Sequence, residues 1–248
     1  MRTAIPWFRG ELPYLTVRQM IEVDRAMVED FGIDLARMME NAGRALAHLA
    51  RTRFLGGDPR GKKVVVLAGT GGSGGGALVC ARRLHTWGAD IAVFLTRPPE
   101  EFKPVPAQQL EILRRMGVHF SGGLPSAGTL RPDLVVDGVI GYSLKGSPGG
   151  TAAGLIRWAN GQDAPVLALD VPSGFDAATG VPLEPTVRAA ATLTLALPKE
   201  GLRATGAERH VGELYLADIG VPPSLYGGPG LGLSVGPIFA ESDILRIR

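Results

Sequence analysis

The sequence predicts an α/β fold with a mainly parallel, doubly wound sheet that follows two N-terminal helices. Three observations carry that prediction. Six short aliphatic runs, VVVLAG, IAVFLT, LVVDGVIG, PVLALDVPSG, ATLTLALP and GELYLADIG, recur from Lys63 onward, separated by helical or turn-forming segments. Their hydrophobicity is continuous rather than alternating, as in strands covered on both faces. The chain has 248 residues, 45% of them hydrophobic, enough to bury one sizeable core and within the range of a single α/β domain.

Two helices come first, over residues 14–56. YLTVRQMIEVDRAMVEDFG opens with Thr16 and Gln19 at capping-box spacing and stops at Gly32. IDLARMMENAGRALAHLARTRFLGG starts at an Asp34 cap, places Leu35, Met38, Met39, Ala42, Leu46 and Leu49 on one face and stops at Gly56–Gly57. The core spans 62–222. Its first strand, Val64 to Leu67, runs into a loop of almost nothing but glycine, and a helical pattern follows through Leu78, Ala81 and Arg82. Gly69, Gly71 and Gly74 fall at the G-x-G-x-x-G spacing, where glycines let backbone approach a ligand and the helix N-terminus offers free N–H groups to a phosphate. No Gly-Lys-Ser/Thr follows, which excludes a P-loop. Residues 223–248 form a Gly/Pro-rich tail, expected as an irregular cover.

Composition narrows the function classes. Lys and Arg total 26 against 24 Asp and Glu, and the basic residues are scattered, so no nucleic-acid footprint is expected. No apolar run is long enough to span a bilayer and the N-terminus has no signal-like core, so the reading is a cytoplasmic protein with no membrane partner. The single cysteine, Cys80, rules out a disulfide framework and reads as a buried thiol. His48, His85, His119 and His210 have no metal-ligand spacing.

Ligands of such sheets collect at the carboxyl ends of the strands. Asp137 and Asp170 each end an aliphatic run, where a carboxylate costs several kcal/mol to desolvate unless it is paired or used. Ser173 lies between Pro172 and Gly174 without the surroundings of a nucleophile elbow. The second strand ends in Thr96 and Arg97 rather than the acid that binds a nicotinamide ribose; Arg97 suits a 2′-phosphate, which leaves an NADP-dependent oxidoreductase as one alternative.

Taken together, the strand-end segments resemble the NAD(P)H-hydrate epimerase family. MMENAGRALA is similar to its L-M-E-N-A-G-R helix, and VVVLAGTGGSGGGALVCARRL to its G-x-G-N-N-G-G-D-G loop and A-R-x-L helix. DLVVDGVIGYSLKG, VLALDVPSGFDAATG and TLTLALPKEGL…VGELYLADIGVP resemble its remaining motifs, in family order from about Tyr14 to Pro222. The resemblance implies a Rossmann-like three-layer α/β/α sandwich, dimeric, that interconverts the R and S epimers of hydrated NADH or NADPH with a bound potassium ion. It implies substrate contacts from Gly72, Ser73, Gly74, Gly75 and Gly76, from Gly141, Tyr142, Ser143, Leu144, Lys145, Gly146 and Ser147, and from Asp170. Potassium ligands would be Ser73, Asp137 and Ser173.

The departure lies in the glycine loop, where the family's Asn-Asn-Gly-Gly-Asp is replaced by Gly72-Ser73-Gly74-Gly75-Gly76. Both amides and the acid are lost, so the expectation is nucleotide binding through backbone N–H groups with a weakened ion site and slow turnover. The double change Ser73→Asn with Gly76→Asp is expected to raise the rate. A non-catalytic nucleotide-binding or dimerisation scaffold of the same fold is a further alternative. Epimerising a carbon that bears a hydroxyl beside a ring nitrogen is easiest if water leaves, the nitrogen lone pair stabilises the cation, and water returns on the other face. That calls for an acid, a base and a dry pocket. Asp137 is the expected acid–base residue, with Lys145 in the GYSLKGSPGG loop folding back as its partner. The two amphipathic N-terminal helices are the expected homodimer surface.

Overall fold

A computed structural model of the chain describes residues 5–126 and 130–248. Helix α1 (Val17–Glu29) begins at the expected capping box: the Gln19 amide donates to Thr16 Oγ1 at 3.1 Å and the Thr16 amide to Gln19 Oε1 at 2.9 Å. Helix α2 (Leu35–Leu49) is capped by Asp34, which accepts from the Arg37 amide at 2.9 Å. Its regular hydrogen bonding ends at Leu49, before the expected stop, because Ala50–Phe54 widen into one π-helical turn.

The aliphatic runs become β1 (Lys63–Ala68), β2 (Asp90–Leu95), β4 (Leu134–Gly138), β5 (Val166–Leu169), β6 (Ala191–Leu195) and β7 (Glu213–Ala217). Two strands were not expected. β3 (Phe120–Gly122) edges the sheet beside β2, and β8 (Ile244–Arg246), from within the tail, pairs antiparallel with β7. The order is β3-β2-β1-β4-β5-β6-β7-β8, parallel throughout except for β8. The remaining helices are α3 (Gly72–Thr86), α4 (Pro104–Arg115), α5 (Gly150–Asn160) and the short α6 (Glu208–Val211) and α7 (Pro223–Tyr226).

Successive residues of the central strands point into different layers, which explains why their sequences are continuously apolar. Val64, Val66 and Ala68 of β1, with Leu134 and Val136 of β4, pack with Leu46, Leu78 and Leu113 from α2, α3 and α4. Val65, Leu67 and Val135 face the other way, onto Leu155, Ile156 and Ala159 of α5. Helix α1 lies to one end, where Met20, Val23 and Met27 meet Leu197, Ile219 and Tyr226. Cys80 is buried in the first of these cores, and that burial pushes its thiol well above the usual range, as for a structural rather than a reactive cysteine. Among the described residues no helix is long and apolar enough to cross a membrane.

The chain order reverses between β1 and β4, neighbours that lead into α3 and α5 respectively. Crevices open at the carboxyl ends of such a strand pair.

Candidate functional site

A cavity of about 720 Å³ opens at that reversal, within the roughly 300–1,000 Å³ usual for small-molecule sites. Its walls come from α1 and α2 (Met20, Asp24, Leu35, Met38), from the turns after β1 and β4, and from Asp170 at the end of β5. The first turns of two helices face it. Helix α3 begins at Gly72 after Gly71, and α5 at Gly150 after Gly149, and neither cap residue has a side chain to satisfy the first N–H groups. Both helices therefore turn free donors and the positive end of a dipole into one space. Arg97 and Lys103 add two cationic side chains to the lining.

The glycine run is divided by this geometry. Gly72, Ser73 and Gly74 line the cavity, whereas Gly75 and Gly76, also in α3, are buried, Gly75 against Met39 of α2 and Gly76 against Leu169 of β5. A Cβ on Gly74 would sit 1.8 Å from the Gly69 carbonyl oxygen, so only glycine allows the turn to close on the helix. The Ser73 hydroxyl lies against Gly141, where an added Cβ would be 2.2 Å from Oγ.

The two strand-end aspartates have different surroundings. Asp137 is 1% exposed and does not line the cavity. Its carboxylate accepts from Ser173 Oγ at 2.6 Å, the Ser173 amide at 2.8 Å and the Val139 amide at 3.2 Å. Ser173 Oγ also accepts from the Ile140 amide at 2.8 Å. Burial pushes the Asp137 carboxyl above the usual range, while the Ser173 and Val139 donors pull it back. Among the described residues no Lys, Arg or His lies within ion-pair reach of it, and its expected partner, Lys145, is exposed on the loop after β4. Polar Ser143, Lys145 and Ser147 with Gly146 keep that stretch at the surface, so the lysine does not fold back.

Asp170 is instead paired. It occupies the left-handed region at φ 69°, a conformation Asp tolerates better than most side chains, and this turns its carboxylate into the cavity wall. The ammonium of Lys199, fully buried, forms an ion pair with Asp170 Oδ1 and donates to the Leu195 carbonyl at 2.9 Å. Lys199 Nζ also lies 6.0 Å from the ring centroid of Tyr142, whose hydroxyl donates to Asp24 Oδ2 at 2.5 Å.

Of the expected substrate contacts, Gly72, Ser73, Gly74, Gly141, Tyr142, Ser143 and Asp170 line the cavity; Gly75, Gly76, Leu144, Lys145, Gly146 and Ser147 do not. Lys199 and Asp24 were missed. A lysine directly after the apolar ATLTLALP run was the available signal for the first, whereas Asp24 reads as the polar face of an amphipathic helix.

Among the described residues no group of three or more His, Cys, Asp or Glu side chains is placed to hold a metal. The oxygens gathered around Ile140 and Gly141, from Asp137, Ser173 and Ser73, are hard donors, and among the described residues no cationic side chain lies within ion-pair reach of the Asp137 carboxyl. Such a set suits an alkali cation rather than a transition metal.

The family model described as YjeF-related protein N-terminus matches residues 35–201. The NAD(P)H-hydrate epimerase of Dehalogenimonas lykanthroporepellens is 44% identical over 218 residues, 88% of this chain and 86% of that protein. The NAD(P)H-hydrate epimerase of Rhodopirellula baltica is 35% identical, with 87% of each chain covered. The bifunctional NAD(P)H-hydrate repair enzyme Nnr of Salinibacter ruber is 36% identical over 85% of this chain, which spans only 41% of that longer protein. In three dimensions the chain resembles the crystal structure of yeast ynu0 (YNL200c), with a TM-score of 0.80 and 25% identity over 95% of this chain and 100% of that one. On sequence and on fold, the chain belongs to the family of YjeF-related protein N-terminal domains.

Proposed function

We propose that the protein is an NAD(P)H-hydrate epimerase that interconverts the R and S forms of hydrated NADH and NADPH. The observation that carries the reading is the pairing, within one cavity, of two uncapped helix N-termini with a carboxylate held by a buried lysine. The free N–H groups of α3 and α5, with Arg97 and Lys103, suit the phosphates of a dinucleotide. The apolar wall of Met20, Leu35 and Met38 suits the hydrated ring and keeps bulk water from the reacting carbon. Asp170 is the acid–base residue in this reading. Asp137 is less suited to that role, since its carboxylate accepts from Ser173 and Val139 and lies outside the cavity lining.

Asp137, Ser173 and Ser73 are the residues that would hold a potassium ion. A bound ion would supply a fixed positive charge that offsets the Asp137 carboxylate. The solution state in this reading is a homodimer through the α1–α2 face, which carries exposed Ile21, Val28 and Phe31; a monomer in sedimentation at micromolar concentration would remove that part.

The test of the activity is to follow purified R-hydrated NADH to its S epimer by chromatography with the wild type and with Asp170→Asn. Asn tolerates the left-handed backbone at this position. The variant is expected to lose about 100-fold or more in kcat, as for removal of a proton-transfer group. A wild-type rate no higher than the spontaneous one would overturn the reading, and a fully active variant would remove Asp170 from it.

A further inference from the structure

Resting on the epimerase reading, we propose that Asp24, clasped by the Tyr142 hydroxyl on the α1 wall of the cavity, is a second acid–base residue that works opposite Asp170 in the proton transfers of the reaction. The acids of α1 and of its C-terminal cap, Asp30, divide into two sets. Glu22, Glu29 and Asp30 all bond to Arg25, as surface carboxylates commonly do. Asp24 is kept out of that network: it lies one turn after Met20, faces the cavity, and among the described residues has no basic group within ion-pair reach. Its partner is a phenol, 2.5 Å away, brought from the turn after β4.

The surroundings favour a carboxyl that holds its proton. Burial raises Asp24 above the usual carboxylate range; the Tyr142 hydroxyl and the charge of Lys199 pull it down, and the charge of Asp170 pushes it up. These three are the titratable groups facing it, from the turn after β4, the turn after β6 and the end of β5. Met20, Leu35 and Met38 complete the surrounding wall. Asp170, by contrast, has the buried ammonium of Lys199 beside it to balance its charge. A cavity thus lined by one carboxyl without a cation and one carboxylate with a cation has both halves of an acid–base pair.

The step balances as follows. The Asp24 carboxyl gives its proton to the departing hydroxyl. The C–O bond breaks with its electron pair on oxygen, which leaves as water, and the lone pair of the adjacent ring nitrogen forms the C=N bond of an iminium cation. Water then adds to the other face, the C=N pair returns to nitrogen, and the surplus proton of the new C–OH passes to the Asp170 carboxylate. The reverse conversion uses the two groups in exchanged roles, and proton exchange with water resets them between turnovers.

The competing account is a structural clamp, in which the Tyr142–Asp24 contact only pins the 141–147 loop to α1. Asp24→Asn and Tyr142→Phe separate the two. Each would be assayed from pH 5 to 9 on the single epimers of hydrated NADH, with NADP+ affinity measured by calorimetry. For an acid–base residue, Asp24→Asn lowers kcat about 100-fold or more with NADP+ affinity within about threefold. Tyr142→Phe retains more of the rate but moves the pH limb of kcat upward, because the lost hydroxyl favoured the charged form of Asp24. Near-normal kcat in Asp24→Asn, or equal losses of rate and NADP+ affinity in both variants with an unmoved pH profile, would overturn the proposal. A wild type that fails to interconvert the epimers would sink the epimerase reading and this proposal with it, and is recognised without either variant.

Discussion

Replacing Lys199 by methionine tests how the cavity wall is held together. The side chain is fully buried and that of its partner Asp170 is 5% exposed, so water screens neither charge. Removing the ammonium leaves Asp170 Oδ1 with two long contacts, the Leu195 amide at 3.3 Å and Thr194 Oγ1 at 3.4 Å, and takes a donor from the Leu195 carbonyl. Breaking one side of a buried pair costs about 3–5 kcal/mol, because the survivor is an uncompensated buried charge. At roughly 2–4 °C per kcal/mol for a domain of this size, Tm should fall by about 6–20 °C.

The pH dependence gives the mechanism a sign. Without its lysine the Asp170 carboxylate is a buried charge with no counter-ion, a penalty that belongs to the ionised form alone and so grows as pH rises. Urea denaturation at pH 8 and pH 5 should therefore show the variant closer to wild type at the lower pH. Adding Asp170→Asn to Lys199→Met removes the orphan charge while keeping a side chain that accepts φ 69°, and should recover part of the loss. A single-variant cost below about 1 kcal/mol, typical of an exposed pair, or a penalty that grows on acidification, would refute the reasoning.

Three further outcomes are expected. Ser173→Ala should cost about 1–3 kcal/mol in urea denaturation, since it strips a donor from Asp137 and orphans the Ile140 amide; because burial already raises the Asp137 carboxyl, the loss should be larger at pH 8 than at pH 5. If Asp137, Ser73 and Ser173 hold potassium, the wild type should melt higher in potassium chloride than in tetramethylammonium chloride of equal strength, by up to about 2.7 kcal/mol of stability at a hundred times the Kd. Asp137→Ser should abolish that increment, and equal melting of the wild type in the two salts would count against the ion site. Gly74→Ala, whose methyl would overlap the Gly69 carbonyl, should yield no soluble folded protein, whereas Gly72→Ala, with nothing within 4 Å of its Cβ, should fold and melt within about 1 kcal/mol of wild type.

What the sequence revealed and what it hid follow from the range of the interactions involved. The six main strands were legible because most of them bury both faces and read as nearly continuous apolar runs, and the Thr16–Gln19 cap because it closes within one turn. β3 and β8 are three-residue elements at the sheet edges; Ile244–Arg246 is a strand only because Tyr215–Ala217 lies beside it. Asp137 and Asp170 both stood out as acids ending apolar runs. Which lysine reaches which acid did not, since Lys145 is the nearer to Asp137 in sequence and only packing exposes it while burying Lys199, 29 residues beyond Asp170. Asp24 was illegible for the same reason, its partner lying 118 residues away.

The glycine run shows where letter matching stops being chemistry. Its spacing fits a nucleotide fingerprint, but part of the run is steric, for it lets α3 settle against α2 and the sheet. A Cβ on Gly75 would meet Met39 Sδ at 2.5 Å, and one on Gly76 a Leu169 methyl at 2.7 Å, both inside a packed interior. An acid therefore cannot be restored at position 76 as a polar loop residue without moving Leu169, which is 1% exposed. The double change Ser73→Asn with Gly76→Asp therefore carries a packing cost at Leu169 that offsets part of any gain in rate. In this chain the polar work of the loop falls to what remains at its open end: the Ser73 hydroxyl and the unpaired N–H groups at the start of α3. Those donors survive any side-chain loss, so the glycines that removed the family's amides and acid need not have removed its hold on a phosphate.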